Sequence, residues 1–122
     1  MKRDKDLLRE LLFEFESSDE WQIRVPKFSG EPDERRARQY HIQLLCDEGY
    51  LVSFTGGIAE AGVFRMTAQG HDFLDAVRDE GIWSKTRDAV RDTGGNATVE
   101  IVKALAMGFL KKKISQHTGI EL

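Results

Sequence analysis

Apolar residues near the start of the chain recur at helical spacing. Leu7, Leu8, Leu11, Leu12 and Phe15 form one face of a helix over residues 4–16, with Phe13 at its flank. Asp4 and Asp6 stand at its start and Ser17-Ser18-Asp19 breaks it. Residues 17–32 read as a connector with one short strand candidate, Gln22–Val25, between that break and the segment bracketed by Pro26 and Pro32. The helical period returns at Asp33. Ala37, His41, Ile42, Leu44 and Leu45 share a broad arc, while Arg35, Arg36, Gln39, Gln43 and Asp47 fall elsewhere. Arg38 lies at the edge of the arc, where its stem can pack and its guanidinium can reach water. Asp33 and Glu34 suit the positive end of the helix dipole, and Gly49 suits a left-handed stop after the last turn.

After Gly49 the period changes to two. Tyr50–Thr55 and Val63–Thr67 read as strands, with Gly56, Gly57 and Gly62 in the turn between them. Antiparallel pairing is expected to put Val52, Phe54, Phe64 and Met66 on one face. Thr67 is the expected N-cap of a helix over 68–79, and a shorter helix follows over 82–91 with Ile82, Trp83, Thr86, Ala89 and Val90 on one side. Thr93–Asn96 is a break. The last helix runs over 99–113 from an N-cap at Thr98 and is apolar around most of its circumference. Such a helix asks to be buried on more than one side. A twofold mate is the simplest second cover, with Val102, Leu105, Ala106, Phe109 and Leu110 at the interface.

These elements define an α+β, mainly α chain. Residues 1–80 form a winged-helix-like domain (helix, connector strand, helix, β-hairpin), residues 81–114 a helical extension that dimerises, and residues 115–122 a flexible tail. One departure stands out: a winged module normally carries a short helix before its recognition helix, and here a strand and a loop stand in that place.

A helix flanked by a ribbon is a geometry that enters a DNA groove. Arg35, Arg36, Arg38, Gln39 and Gln43 are the candidate DNA-contacting residues, since Arg and Gln can read guanine and adenine edges. The bland alternative is a solvated basic helix face. The wing tip Gly57–Gly62 argues against DNA, for it has no base and one acid. Charge gives a mixed answer. The net charge is −3, but residues 1–80 carry 11 Lys/Arg against 17 Asp/Glu, and residues 81–122 carry 7 against 4. DNA contact would need a local patch, whereas the acidic first part would suit a basic protein partner, so a protein-interaction module is the competing expectation. Lys111–Lys113 after an apolar helix also permits a membrane-surface adaptor, a weaker idea because the polar face is narrow.

Nothing in the chain commits to a reaction. Its single cysteine, Cys46, rules out an internal disulfide and reads as a half-buried apolar residue. His41 sits mid-face beside Leu44 and Leu45, as a hydrogen-bonded core histidine would. His71, Asp72 and Asp75 do not share the geometry of a metal shell. Phosphate loops, nucleotide fingerprints and nucleophile elbows do not occur, so no enzyme, cofactor or metal is expected. The N-terminus has no apolar stretch of a signal peptide and no run of eighteen apolar residues exists, so a cytoplasmic location is the expectation.

Three segments carry a family likeness: Met1–Leu7 (MKRDKDL), Tyr40–Leu51 (YHIQLLCDEGYL), and Thr67–Asp79 (TAQGHDFLDAVRD) followed by Trp83. Together they resemble an uncharacterised bacterial and prophage-associated family known only as a domain of unknown function, with GHDFLDAVRD its most specific part. The resemblance implies a winged-helix-like pattern in a mobile-element setting and transfers no catalytic residue. It also marks Gly70-His71-Asp72 as a structural signature, with His71 tying its helix to a backbone carbonyl.

Overall fold

The computed structural model describes residues 1–25, 29–54 and 62–122. The chain falls into two compact units, Met1–Leu74 and Asp75–Leu122. Among the described residues there are five helices and one small antiparallel sheet, an α+β and mainly α architecture.

In the first unit, α1 (Lys5–Glu16) begins where Asp4 caps it, its carboxylate accepting the Leu7 N–H at 3.2 Å. Leu8, Leu11, Leu12 and Phe15 are buried, which is the face its spacing defines. The connector strand forms as β1 (Ile23–Arg24), and Pro26, Lys27 and Phe28 lie outside the described residues. Pro32 opens α2 (Pro32–Asp47), where its missing N–H has no helical partner to lose. Gly49 follows the C-cap at φ 76°, a left-handed stop that a side chain would strain.

The sheet joins β2 (Leu51–Ser53) and β3 (Val63–Met66) with β1 in the order β1-β3-β2, all antiparallel. Register corrects one expectation. Leu51 faces Met66 and Ser53 faces Phe64, so Leu51, Phe64 and Met66 point to the core while Val52 and Phe54 point out. Val52 and Phe54 therefore do not share a face with Phe64 and Met66: sequence pattern alone left the register one residue open, and one residue flips a strand's whole set of side chains. Phe64 meets Phe15 of α1 edge-on at 6.0 Å, which ties sheet to helix.

The segments Tyr40–Leu51 and Thr67–Asp79 meet at one joint. The Thr67 hydroxyl accepts the Gly70 N–H at 3.0 Å and donates to the Gly49 carbonyl, while the Thr67 N–H donates to the Tyr50 carbonyl at 3.0 Å. That joint starts α3 (Ala68–Val77) against the first residue after the α2 stop. Gly70 is required there, because a Cβ on it would lie 2.4 Å from the Tyr50 carbonyl oxygen. The Tyr50 and Phe73 rings stack at 4.9 Å over the same contact.

In the second unit, α4 (Glu80–Asp92) is capped by Asp79 and α5 (Val99–Thr118) by Thr98, and the two helices pack on each other. Ile82, Trp83 and Thr86 of α4 and Val99, Val102 and Ala106 of α5 are buried. The last helix continues to Thr118 and ends at Gly119, φ 74°, rather than at residue 113. Residues 115–118 belong to that helix. At 20 residues α5 is about 30 Å long, longer than the 13-residue α4 it packs on. No helix among the described residues is long and apolar enough to cross a membrane.

Candidate nucleic-acid interface

The face of α2 turned away from the core begins with its charged first turn. Arg35 and Arg36 are exposed, Gln43 is exposed and Gln39 is half-buried. Tyr40, 41% exposed, continues the same stripe through the spacing Arg36, Tyr40, Gln43 and adds a ring that the charge pattern did not flag. Sequence spacing held that signal, since these positions lie one helical turn apart.

The arginines are not equivalent. Arg36 pairs with Asp33 one turn back, with both side chains largely in water. Arg35 reaches the Gly30 carbonyl at 3.5 Å, a marginal bond that leaves its other donors to solvent. Arg38 does something else: its guanidinium grips Glu14 of α1 through two bonds of 3.2 and 2.5 Å, and only 14% of its side chain is exposed. A bidentate fork of this kind fixes orientation as well as charge. Arg38 therefore belongs to the α1–α2 joint and is not among the residues offered to a groove. The reason lies across the fold, in an acid 24 positions away that helical spacing cannot see.

His41 is a joint too. It is 1% exposed, its Nδ1–H donates to the Ala37 carbonyl at 2.7 Å, and its Nε2 accepts the Asp4 N–H at 2.7 Å. The tautomer follows from the Asp4 bond, because a backbone N–H must find an acceptor. The core-histidine expectation holds, and it explains the opening MKRD segment: Asp4 caps α1 with its side chain and docks on α2 with its backbone. His71 is exposed and stands beside the cleft bordered by Arg65 and Trp21.

Flanking acids limit the charge of this face. Asp33, Glu34, Asp47 and Glu48 are all exposed on or next to α2. The wing tip expected over Gly57–Gly62 lies, apart from Gly62, outside the described residues. Cys46 is half-buried, and burial followed by the neighbouring Asp47 carboxylate pushes its thiol above the ordinary value, which keeps it a poor nucleophile.

The expected dimer face divides as well. Val102 and Ala106 are buried within the chain, 2% and 0% exposed, and are not available to another copy. Leu105, Phe109 and Leu110 are half-buried, and Ile101 and Ile114 are 49% and 39% exposed along the same helix.

The features together define a mainly helical α+β protein in which a helix–strand–helix–hairpin unit is followed by a helical pair. The chain belongs to the family described as Hypothetical protein (DUF2513), whose model matches residues 2–96. An uncharacterized protein of Haemophilus influenzae is 24% identical over 120 residues, covering 94% of this chain and 100% of that protein. No solved structure matches the chain.

Proposed function

We propose that the protein is a winged-helix-like DNA-binding regulator that acts as a homodimer in the cytoplasm, in a phage or prophage setting. One observation carries the reading: a helix with Arg35, Arg36, Tyr40 and Gln43 exposed and Gln39 half-buried sits next to an antiparallel ribbon, with a third strand added in the order β1-β3-β2. Helix α2 would enter the major groove. Arg35 and Arg36 would take phosphates, the Arg36–Asp33 pair opening as it does so, and Gln39 and Gln43 would approach base edges. Arg38 is left out because Glu14 holds it. Dimerisation would use Leu105, Phe109 and Leu110 with the exposed Ile101 and Ile114 of α5. The mobile-element setting rests on the resemblance of the three sequence segments.

Duplex of random sequence, titrated across a salt series, tests it. Affinity should fall steeply as salt rises, and Arg35→Ala with Arg36→Ala should weaken binding and lower the salt slope by about 2. Gln39→Ala with Gln43→Ala should flatten any sequence preference while leaving the salt slope in place. No binding at low salt, or no response to the arginine pair, retires the DNA reading. Light scattering tests the dimer separately: Leu105→Asp or Phe109→Asp should yield monomers, and a monomeric wild type contradicts it.

A further inference from the structure

The outward face of the sheet is built unlike a solvated one. Pairing of Arg24 with Val63 and of Val52 with Arg65 puts these four side chains on one surface, away from the core. Phe54 extends β2 on the same side, its N–H bonded to the Val63 carbonyl at 2.8 Å. Trp21, just before β1, meets the Phe54 ring edge-on at 5.8 Å. Trp21, Phe54 and Val52 are 66%, 47% and 38% exposed, a grouped apolar surface where water would favour polar residues. Beside Trp21 a cleft of about 320 Å³ is lined by Phe15, Ile23 and Met66 together with Arg65 and the acids Glu16, Asp19 and Glu20.

We propose that this face docks a short extended segment of a partner protein, one that carries an apolar or aromatic anchor between an acidic and a basic residue. The anchor packs on Trp21 and Phe54 and enters the cleft. The acid turns to Arg65 and Arg24, and the base to Asp19 and Glu20. Charge complementarity selects this occupant. Exposed Trp and Arg side chains are the residue types that concentrate binding energy at protein interfaces. Nucleic acid is disfavoured, because Arg65 shares the cleft with Glu16, Asp19 and Glu20, whose carboxylates repel a phosphate chain, in a part of the chain that carries more acids than bases. The inference does not depend on DNA contact by α2.

A fluorescein-labelled peptide with a central Leu-Phe pair, two Glu on one side and two Lys on the other, is the probe. Label anisotropy and Trp21 fluorescence report binding; the second tryptophan, Trp83, is 2% exposed and stays silent. The expected result is saturable binding that weakens at least tenfold in Trp21→Ala with Phe54→Ala, and that is unchanged in Arg35→Ala with Arg36→Ala. Arg24→Glu with Arg65→Glu should reject this peptide and accept one with Lys in place of its Glu, a swap of preference that a misfolded variant could not show. The proposal is overturned if wild type binds none of the charge patterns, binds all of them equally, or prefers an oligothymidylate that displaces the peptide.

Discussion

In residues 1–74 apolar contacts such as Phe15 with Phe64 are supplemented by polar joints between distant segments: His41 with Asp4, Arg38 with Glu14, and Thr67 with Gly49. In residues 75–122 two helices are joined by apolar packing, and a long-range polar contact, Lys113 with Asp79 at 2.7 Å, lies at the surface. The difference matters because a matched polar joint has one geometry, whereas apolar surfaces tolerate repacking. The first unit is suited to hold α2 and a sheet face at fixed angles. The second, with Ile101 and Ile114 half in water, is suited to accept another apolar surface.

Substitutions break that contrast in graded steps. The largest effect is expected from Gly70→Ala, which drives a methyl group into the Tyr50 carbonyl, a backbone atom that cannot rotate away. Urea unfolding should show a loss of at least about 2 kcal/mol. Gly108→Ala, in the middle of α5 with open space around the new Cβ, should instead stabilise the second unit slightly. If the two glycines behaved alike, the distinction between a tight joint and a tolerant helix would fail.

Next comes His41→Ala, which orphans the Asp4 N–H and empties a buried volume, and should cost about 2–3 kcal/mol by the same measurement. Amide exchange should show the start of α1 released first. A pair of arginines then sharpens the comparison within α2. Arg38→Ala removes a mostly buried fork and should cost about 1 kcal/mol, whereas Arg36→Ala removes an exposed pair and should stay within about 0.5 kcal/mol.

The smallest effect is tied to pH. The Lys113 side chain, then the Ile82 N–H, hold the Asp79 carboxyl below its ordinary value. A lowered value in the folded state means stability that is present above the unfolded value and lost as pH falls through the folded one. Thermal melts of wild type and Asp79→Ala should therefore differ modestly at neutral pH and converge as the solution is acidified below about pH 4. A gap that persisted in acid would assign the effect to something other than the charge.

Much of the architecture was legible beforehand because it is local. Asp4, Thr67 and Thr98 cap helices through bonds to residues three or so positions away, and Gly49 stops α2 through its own backbone freedom, whereas Asp79, expected at the end of one helix, caps the next. The face of α1 and the burial of His41 follow from a period of 3.6. What stayed hidden depended on partners remote in the chain. Trp21 sits in a connector without any period, so nothing announced its ring against Phe54.

The sequence by itself determined which stripes are apolar and that helices begin after Thr67 and Thr98 and stop at Gly49, since each is a property of neighbouring residues; it did not set the end of α5 or the close approach of Gly70 to the Tyr50 carbonyl. Tertiary structure alone decided that Arg38 is spent on Glu14, that Val52 and Phe54 face outward, and that Val102 and Ala106 are covered within the chain. The physical reason is the same in all three: register and pairing are set by segments that meet only when the chain has folded, and a shift of one residue or one partner reassigns a side chain from solvent to core.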